Sequence, residues 1–215
     1  MSRTGFAQTE SPGYFDAERW DMLAELDPPY GRVLDVGCGA GATGRALRAA
    51  GAEQLVGVEP APSAAALARE VFDTLHEGPV EEVLRSGSLA GRFDTILLYD
   101  VLEHLVDPAA VLTALRPLAA PGARIHISVP NARHWSLIRD LLLRGSFGYT
   151  EWGHRDATHL RWFTRRDLER LVTDTGYSVD RSNGGVLGRN VMLNRVTAGR
   201  LEELIALQWH VLARA

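Results

Sequence analysis

Seven residues near the start of the chain, Asp35-Val36-Gly37-Cys38-Gly39-Ala40-Gly41, have the composition of a ligand-binding turn. A short apolar run at 32–36 predicts a strand before the turn, and the pattern at 43–50 predicts a helix after it. Glycines let the backbone approach a ligand closely, and the first turn of a helix has N–H groups without partners inside the helix. Because ligands of open α/β sheets bind at the carboxyl ends of strands, the pattern predicts a site for a nucleotide-containing cofactor.

Two cofactors fit this turn when it is considered alone. Gly39 to Gly44 matches the G-x-G-x-x-G pattern of dinucleotide sites, and Glu59 follows at the distance of about 20 residues that the pattern requires. The carboxylate of Asp35 would repel a pyrophosphate, whereas it suits the cationic amino group of S-adenosylmethionine (SAM). We also expect no second catalytic domain, which most two-domain dehydrogenases need. We therefore expect SAM, with an NAD(P)-dependent oxidoreductase as an alternative.

Three histidines are candidates for a catalytic base. His104 follows the fourth predicted strand, and His154 and His159 lie in a long segment rich in glycine and aromatic residues. A hydroxyl group becomes a better nucleophile when a base takes its proton, and histidine is the most frequent base. An alternative role for His104 is to brace the turn at Asp100. His154, Asp156 and His159 could also hold a metal, but their spacing matches no familiar site, so we predict none.

Around these residues, short β-rich runs alternate with helical segments, which predicts a mostly parallel sheet with helices on both faces. The predicted strands cover residues 32–36, 54–58, 74–76, 93–99, 124–129, 177–181 and 208–213. The predicted helices cover residues 15–26, 43–50, 63–72, 107–118, 134–143, 164–175 and 201–206.

Composition excludes several classes of site and partner. The 215 residues fit one domain, and the net charge of −4 gives no electrostatic reason to expect nucleic acid as a partner. The chain has no lysine, which excludes the Schiff base of PLP enzymes and the lysine of a P-loop. Cys38 is the only cysteine, which favours a reducing compartment. With no apolar run near the ~18 residues of a membrane span and no signal-peptide pattern, we expect a cytoplasmic protein, monomeric or homodimeric.

Several motifs together resemble class I SAM-dependent methyltransferases, and among them the small-molecule O-methyltransferases of the ubiquinone-biosynthesis type. The motifs are the glycine turn, Glu59-Pro60, Asp100-Val101-Leu102-Glu103-His104-Leu105, Val129-Pro130-Asn131 and the segment 156–164. The resemblance covers about residues 14 to 214. It implies a Rossmann-like, doubly wound sheet of six parallel strands and one antiparallel last strand. A flexible tail at 1–13 would precede a methyltransferase domain at 14–215, in which an insert at about 130–163 would cover the substrate.

The resemblance also assigns cofactor contacts. The methionine part of SAM would lie against Asp35, Gly37, Cys38, Gly39 and Gly41. Glu59 would accept hydrogen bonds from the ribose hydroxyls, Pro60 would pack by the adenine, and Tyr14 would close over the cofactor. The acid that this family often places at the adenine amino group is missing from its usual position, so we expect contacts from Gly78, Pro79 and Val80 instead. Tyr99, Asp100, Val101 and His104 would lie beside the sulfonium.

The expected activity is methyl transfer from SAM to a small-molecule acceptor, at a hydroxyl oxygen, in secondary-metabolite or quinone biosynthesis. A second alternative is a SAM-binding scaffold that has lost catalysis. Four aromatic residues of the predicted insert would either wall the substrate pocket or close the insert against the core; they are Trp135, Trp152, Trp162 and Phe163.

Overall fold

Seven strands form one sheet in the computed structural model, which describes residues 20–151 and 153–215. The order of the strands across the sheet is β3-β2-β1-β4-β5-β7-β6. The strands are β1 (Arg32–Val36), β2 (Gln54–Glu59), β3 (Thr74–Glu77), β4 (Phe93–Tyr99), β5 (Ala119–Pro130), β6 (Ser178–Gly185) and β7 (Gln208–Arg214). The expectations for the tail at 1–13, for Tyr14 and for Trp152 fall outside the described residues.

Strand pairing confirms the predicted topology. β1 pairs in parallel with both β2 and β4, and β4 pairs in parallel with β5. β7 inserts between β5 and β6 and is antiparallel to both. From β1 the chain adds β2 and β3 on one side of this strand and then crosses to β4 on the other side. The topological switch point of the sheet therefore lies between β1 and β4, and ligands bind at such points in open α/β sheets.

Both faces of the central strands are buried, which explains their near-continuous apolar sequence. In β4, Ile96 and Leu98 belong to one core cluster, whereas Leu97 and Tyr99 belong to a second cluster on the opposite face. Helical residues at 80–83, 111–115 and 168–172 cover the first cluster, and helical residues at 22–23, 46–47 and 68 cover the second. The alternation along β4 thus divides the core into two layers.

Nine α-helices accompany the strands in the described residues. They are α1 (Trp20–Leu23, in its described part), α2 (Ala42–Ala49), α3 (Pro62–Ala68), α4 (Val80–Ser86), α5 (Pro108–Leu115), α6 (Trp135–Arg144), α7 (Arg165–Asp174), α8 (Arg189–Val196) and α9 (Glu202–Ile205). Short 3₁₀ helices follow β4 and α5, at Leu102–His104 and Arg116–Leu118. Within the described ranges, no helix combines the length and apolarity that crossing a membrane requires.

Two of the predicted helix ranges, 107–118 and 164–175, begin at a residue whose side chain caps the helix. The Asp107 carboxylate accepts a hydrogen bond from the Ala110 N–H (3.0 Å) at the start of α5. The Thr164 hydroxyl accepts one from the Asp167 N–H (3.3 Å) at the start of α7. Each side chain satisfies an N–H that the first helical turn leaves without a partner.

The structure differs from the sequence-based elements in several places; α3, for example, ends at Ala68 rather than at residue 72. α4 was not predicted; Pro79 precedes this helix, and two glutamates lie in its first turn. α8 was not predicted either, since its apolar residues do not form one face. β6 extends to Gly185, four residues beyond its predicted end. β5 begins at Ala119, five residues before its predicted start, and its register against β4 shifts between Phe93 and Thr95.

Candidate functional site

The carboxyl ends of β1, β2 and β4 meet at one edge of the sheet. Val36 pairs with Val58 on one side and with Leu98 on the other, so the residues after these three strands are neighbours. They are the glycine turn after β1, Glu59 at the end of β2 and Asp100 after β4. The sheet therefore brings together three of the motifs that were singled out in the sequence.

The glycine turn has a backbone that only glycine adopts without strain. Gly37, Gly39 and Gly41 have φ angles of 72°, 55° and 86°. The N–H groups of Gly37 and Cys38 both donate to the Val58 carbonyl, at 2.8 and 3.2 Å. These bonds tie the turn to the end of β2.

Gly37 also allows close packing against the segment after β4. A Cβ atom on Gly37 would lie 2.7 Å from Cγ2 of Val101, well inside van der Waals contact. Val101 therefore lies beside the glycine turn and fills the space that a side chain at position 37 would need.

Substituting Gly37 with alanine should lower the melting temperature more than the same change at Gly51. Gly51 has a φ of 90°, and a Cβ there would meet nothing within 4 Å, so Gly51→Ala measures the cost of the backbone conformation alone. That cost is about 1 kcal/mol, or about 2–4 °C for a domain of this size. We expect more than twice that decrease for Gly37→Ala in differential scanning fluorimetry. Equal decreases would contradict the proposed close packing against Val101.

Glu59 joins the glycine turn to the start of α3. One carboxylate oxygen accepts from the Gly39 N–H and the other from the Ala61 N–H, both at 2.8 Å. Glu59 is buried, and burial raises the pKa of its carboxyl group, although the two N–H donors act in the opposite direction. Each carboxylate oxygen has a further lone pair, so the side chain keeps the capacity to accept from a diol.

Asp35 is buried one residue before the end of β1. Its side chain is only 2% exposed, and its Oδ2 atom has no hydrogen-bond partner among the described residues. Burial, and to a lesser extent the nearby Glu59, raises the pKa of the Asp35 carboxyl to about 8. A buried acid without a cationic partner is unfavourable, and a bound cation would relieve this cost.

Cys38 lies in the same turn, but its side chain faces the core. A Cβ added to Gly57 of β2 would lie 2.9 Å from the Cys38 sulfur, and Cys38 belongs to the buried cluster on that face. Burial raises the pKa of the thiol. Cys38 is a packing residue rather than a reactive one.

Asp100 has an unusual backbone conformation at the end of β4. Its φ of 55° is left-handed, which for a residue other than glycine indicates strain held by the surrounding contacts. Its Oδ1 accepts from Ser128 of β5 at 3.3 Å and from the Gln208 amide of β7 at 2.7 Å. Two neighbouring strands thus orient this carboxylate.

Tyr99 points away from the turn. Its hydroxyl lies 2.9 Å from Nδ1 of His126, within the core cluster that α1 and α2 cover. Only its backbone lies at the strand end where a cofactor contact was expected.

The residues assigned to the adenine lie after β2 and β3. The Gly78 N–H donates to the Glu59 carbonyl (3.0 Å), which places the two strand ends side by side. Pro60 is exposed, whereas Val80 is buried as the first residue of α4 and packs in the core. The expected apolar contact from Val80 is therefore directed to the core, and Pro60 and Pro79 are left at the strand ends.

His104 and His159 form a pair beside Asp100. Their ring centroids are 4.9 Å apart at an angle of 69°, and Nδ1 of His159 is buried without a hydrogen-bond partner among the described residues. Burial lowers the pKa of both imidazoles, that of His159 to about 4, with the neighbouring His104 adding to the decrease. Both rings are therefore neutral at pH 7 and can accept a proton.

The third candidate base, His154, stacks on a different ring. His154 and His134 are 5.0 Å apart at 27°, and Nε2 of His154 lies 2.6 Å from the Leu207 carbonyl oxygen. Because a carbonyl only accepts, Nε2 carries the proton, which leaves Nδ1 as the lone-pair nitrogen. Burial lowers the pKa of His154, and the contact with Leu207 attaches the predicted insert to the segment before β7.

One group of ligand atoms among the described residues has the spacing of a metal site. Single atoms of Glu103, His104 and His159 lie within 4.8 Å of one another. This set differs from the combination of His154, Asp156 and His159 that the sequence suggested, because His154 is held by Leu207. The arrangement has a donor set that transition metals accept, while the absence of a metal stays our prediction.

The aromatic residues divide between surface and core. Phe163 is buried in the main core cluster, whereas Trp135 is 45% exposed. Trp162 contacts His159, with ring centroids 5.6 Å apart, and also Phe147 at 4.6 Å. Trp162 is thus the aromatic side chain placed beside the histidine pair.

Sequence reasoning missed three side chains at this site. Ser128 and Gln208 orient Asp100, and Thr158 lies 3.1 Å from Nδ1 of His104. Thr158 stands inside the motif 156–164, which was noted as a whole without a role for its threonine. Gln208 had no signal, because it is 108 residues from its partner.

Comparison with known proteins agrees with this architecture. Residues 13–182 match the family model described as a methyltransferase domain. A ubiquinone biosynthesis O-methyltransferase from Psychrobacter arcticus is 28% identical over 180 residues, which are 77% of this chain and 66% of the relative. One from Bordetella parapertussis is 36% identical over 108 residues, but these are only 43% of its length. The chain thus spans less than two thirds of these curated relatives.

Solved structures share the fold at low identity. A SAM-dependent methyltransferase from Mesorhizobium loti has a TM-score of 0.65 at 16% identity, covering 93% of this chain and 98% of the other. The family match extends over most of the chain and includes the glycine turn, Glu59 and Asp100. The chain belongs to the methyltransferase-domain family and has the fold of class I SAM-dependent methyltransferases.

Proposed function

We propose that this methyltransferase transfers the SAM methyl group to a hydroxyl oxygen of a small-molecule acceptor. The observation that carries the proposal is the neutral pair His104 and His159 beside Asp100, at the end of the central strand. Methyl transfer is a displacement at an already activated sulfonium, so it mainly needs alignment and exclusion of water. A hydroxyl acceptor needs in addition a group that takes its proton, and neutral imidazoles supply that.

The same proposal assigns the cofactor contacts. Gly37, Gly39 and Gly41 would line the methionine part of SAM, with Asp35 as the acid for its amino group. Glu59 would accept from the ribose hydroxyls. Two observations support these contacts. The glycine turn and Glu59 lie at the same edge of the sheet, and Oδ2 of Asp35 is buried without a hydrogen-bond partner among the described residues. The sulfonium would then lie near Asp100.

The insert at 130–163 would cover the acceptor. Its residues contact the site and its surroundings at several places. The N–H groups of Leu160 and Arg161 donate to the Glu103 carbonyl at 2.7 and 3.0 Å, Thr158 and His159 contact His104, and His154 contacts Leu207. The acceptor would lie between the insert and Asp100, with Trp162 on one side. We further propose a cytoplasmic location, which the single cysteine supports.

Incubation with methyl-labelled SAM and a panel of catechols, simple phenols, aliphatic alcohols, amines and thiols tests this proposal. We expect label in an alkali-stable methyl ether of a phenol or alcohol, with one S-adenosylhomocysteine released per methyl group. Label only in amine or thiol products would overturn the assignment to oxygen. SAM binding by calorimetry without transfer to any member of the panel would favour the non-catalytic scaffold.

A further inference from the structure

A chain of hydrogen bonds runs from a buried carboxylate to His104. Oδ1 of Asp156 accepts from the Thr158 hydroxyl at 2.7 Å and from the Thr158 N–H at 2.8 Å. The same hydroxyl oxygen lies 3.1 Å from Nδ1 of His104. Asp156 is 5% exposed, so water competes little for its carboxylate. The order Asp156–Thr158–His104 connects the insert to the 3₁₀ turn after β4.

The protons in this chain can be assigned from the chemistry of the groups. A threonine hydroxyl has one proton, and a carboxylate can only accept. The Thr158 proton therefore lies towards Asp156, in the shorter and charge-assisted bond. The hydroxyl oxygen can then only accept at its contact with His104, so the hydrogen of the imidazole is on Nδ1. The lone pair of the neutral ring is consequently on Nε2.

The opposite tautomer is the less favourable one. With its proton on Nε2, His104 would accept at Nδ1, and Thr158 would have to turn its hydroxyl proton from Asp156 to the ring. Among the described residues, the buried carboxylate would then keep only the backbone N–H of Thr158 at Oδ1, which is a poorer environment for a charge with little solvent access.

We propose that Asp156 and Thr158 are positioning residues that hold His104 as the Nδ1–H tautomer, and that Nε2 of His104 is the atom that takes the proton of the acceptor hydroxyl. This inference rests on the proposed transfer to oxygen. In the step, the acceptor oxygen forms a bond to the methyl carbon, the bond from this carbon to sulfur breaks, and its electron pair stays on sulfur as S-adenosylhomocysteine forms. The hydroxyl proton goes to Nε2 of His104 and later to water.

His159 has a supporting role in this arrangement. Its ring lies edge to face with that of His104. The His159 ring also contacts Trp162, and the His104 ring contacts Thr158, so neither ring is free in solvent. A second imidazole that stays neutral beside His104 restricts water without competing for the hydroxyl of Thr158. The base is then His104, and His159 shapes the pocket around it.

Long-range ¹H–¹⁵N spectra of histidine-labelled protein with bound S-adenosylhomocysteine test the tautomer without any acceptor. The sample is treated with EDTA, and the His104 signals are assigned by their loss in His104→Gln. In the wild type and in Thr158→Ser, we expect Nδ1 of His104 to have the ¹⁵N chemical shift of a protonated nitrogen and Nε2 to have that of an unprotonated nitrogen. In Thr158→Val we expect the population to move towards Nε2–H.

The reverse assignment in the wild type, or spectra unchanged by Thr158→Val, would overturn the proposal. Because this readout needs no methyl acceptor, it is independent of whether the proposed activity at oxygen is correct. Thr113→Val is a matched control, since the Thr113 hydroxyl donates to the Ala109 carbonyl within its own helix, on the exposed face of α5.

Steady-state kinetics with the phenol or alcohol methylated in the panel assay provide the second readout. We expect Thr158→Val to lower kcat about 10- to 100-fold with KM for SAM changed less than twofold, and Thr158→Ser to recover most of the loss. Thr113→Val should behave as the wild type. A decrease in Thr158→Ser as large as in Thr158→Val would show that the threonine acts through packing, against the proposal. Activity lost in EDTA and restored by Zn²⁺ would likewise contradict a proton-accepting His104.

Discussion

Asp35→Ala weakens SAM binding by about 10- to 100-fold in our expectation. A hydrogen bond to a charged group contributes about 1.5–3 kcal/mol, and a tenfold change in affinity corresponds to about 1.4 kcal/mol. The buried Oδ2 of Asp35 has no hydrogen-bond partner among the described residues, so the amino group of SAM would be its first hydrogen-bond donor. Isothermal titration of wild type and variant with SAM measures the change.

The affinity of the wild type for SAM should also depend on pH. Because the pKa of Asp35 is raised to about 8, the unliganded protein carries a proton there at pH 6 and 7. Binding a cation requires this proton to leave, so affinity should rise with pH, by up to tenfold per unit, until about pH 8. Above that, an α-amino group of ordinary pKa loses its charge and affinity falls. Asp35→Asn should remove the rise at low pH and keep the fall.

Asp174→Ala is the control for this experiment, since its carboxylate is exposed on α7 and pairs only with Arg170 among the described residues. It should bind SAM as the wild type does. Tighter binding of SAM at pH 6 than at pH 8, or full affinity in Asp35→Ala, would contradict a role for Asp35 at the amino group.

A larger effect is expected at Glu59. Glu59→Ala should weaken SAM binding by 100-fold or more, about 2.7 kcal/mol, because it removes two kinds of bond at once. The ribose would lose its acceptor, and the N–H groups of Gly39 and Ala61 would lose theirs, which frees the glycine turn from α3. The measurement is again calorimetry with SAM and with S-adenosylhomocysteine.

Glu59→Gln separates the two contributions. Its amide oxygen can serve Gly39, but its NH₂ group would face the Ala61 N–H, where two donors meet. We expect affinity between those of the wild type and Glu59→Ala. Glu53→Gln, an exposed carboxyl just before the other end of β2, is the matched control. Equal affinities of Glu59→Gln and the wild type would indicate that the bond to Ala61 has no influence on the cofactor.

Much of the central sheet could be predicted from the sequence, because short local sequence patterns specify its strands and turns. The apolar run of β4 and the glycines after β1 are short patterns with one dominant explanation, and the capping residues Asp107 and Thr164 mark helix starts by their own chemistry. The spacing from the glycine turn to Glu59 likewise follows from one strand–helix–strand unit.

The remaining features depend on contacts between distant parts of the chain. α8 has no apolar face for a pattern to detect, and α4 follows a Gly-Pro pair that is typical of loops. The partners of His104 and Asp100 come from residues 54 and 108 positions away. Their identity depends on the final packing, which no local pattern contains.

The position of β7 between β5 and β6 determines the order in which the strands can pair while the chain is being synthesised. During synthesis, all residues up to 207 leave the ribosome before Gln208 can reach Asp100, and β5 and β6 are joined only through the strand that comes last. Pairings between distant segments form slowly, so the half-sheet β3-β2-β1-β4-β5 would be present as a nascent species with an unpaired edge. The carboxylate expected beside the sulfonium is therefore held in its final orientation only once nearly the whole described chain has been translated.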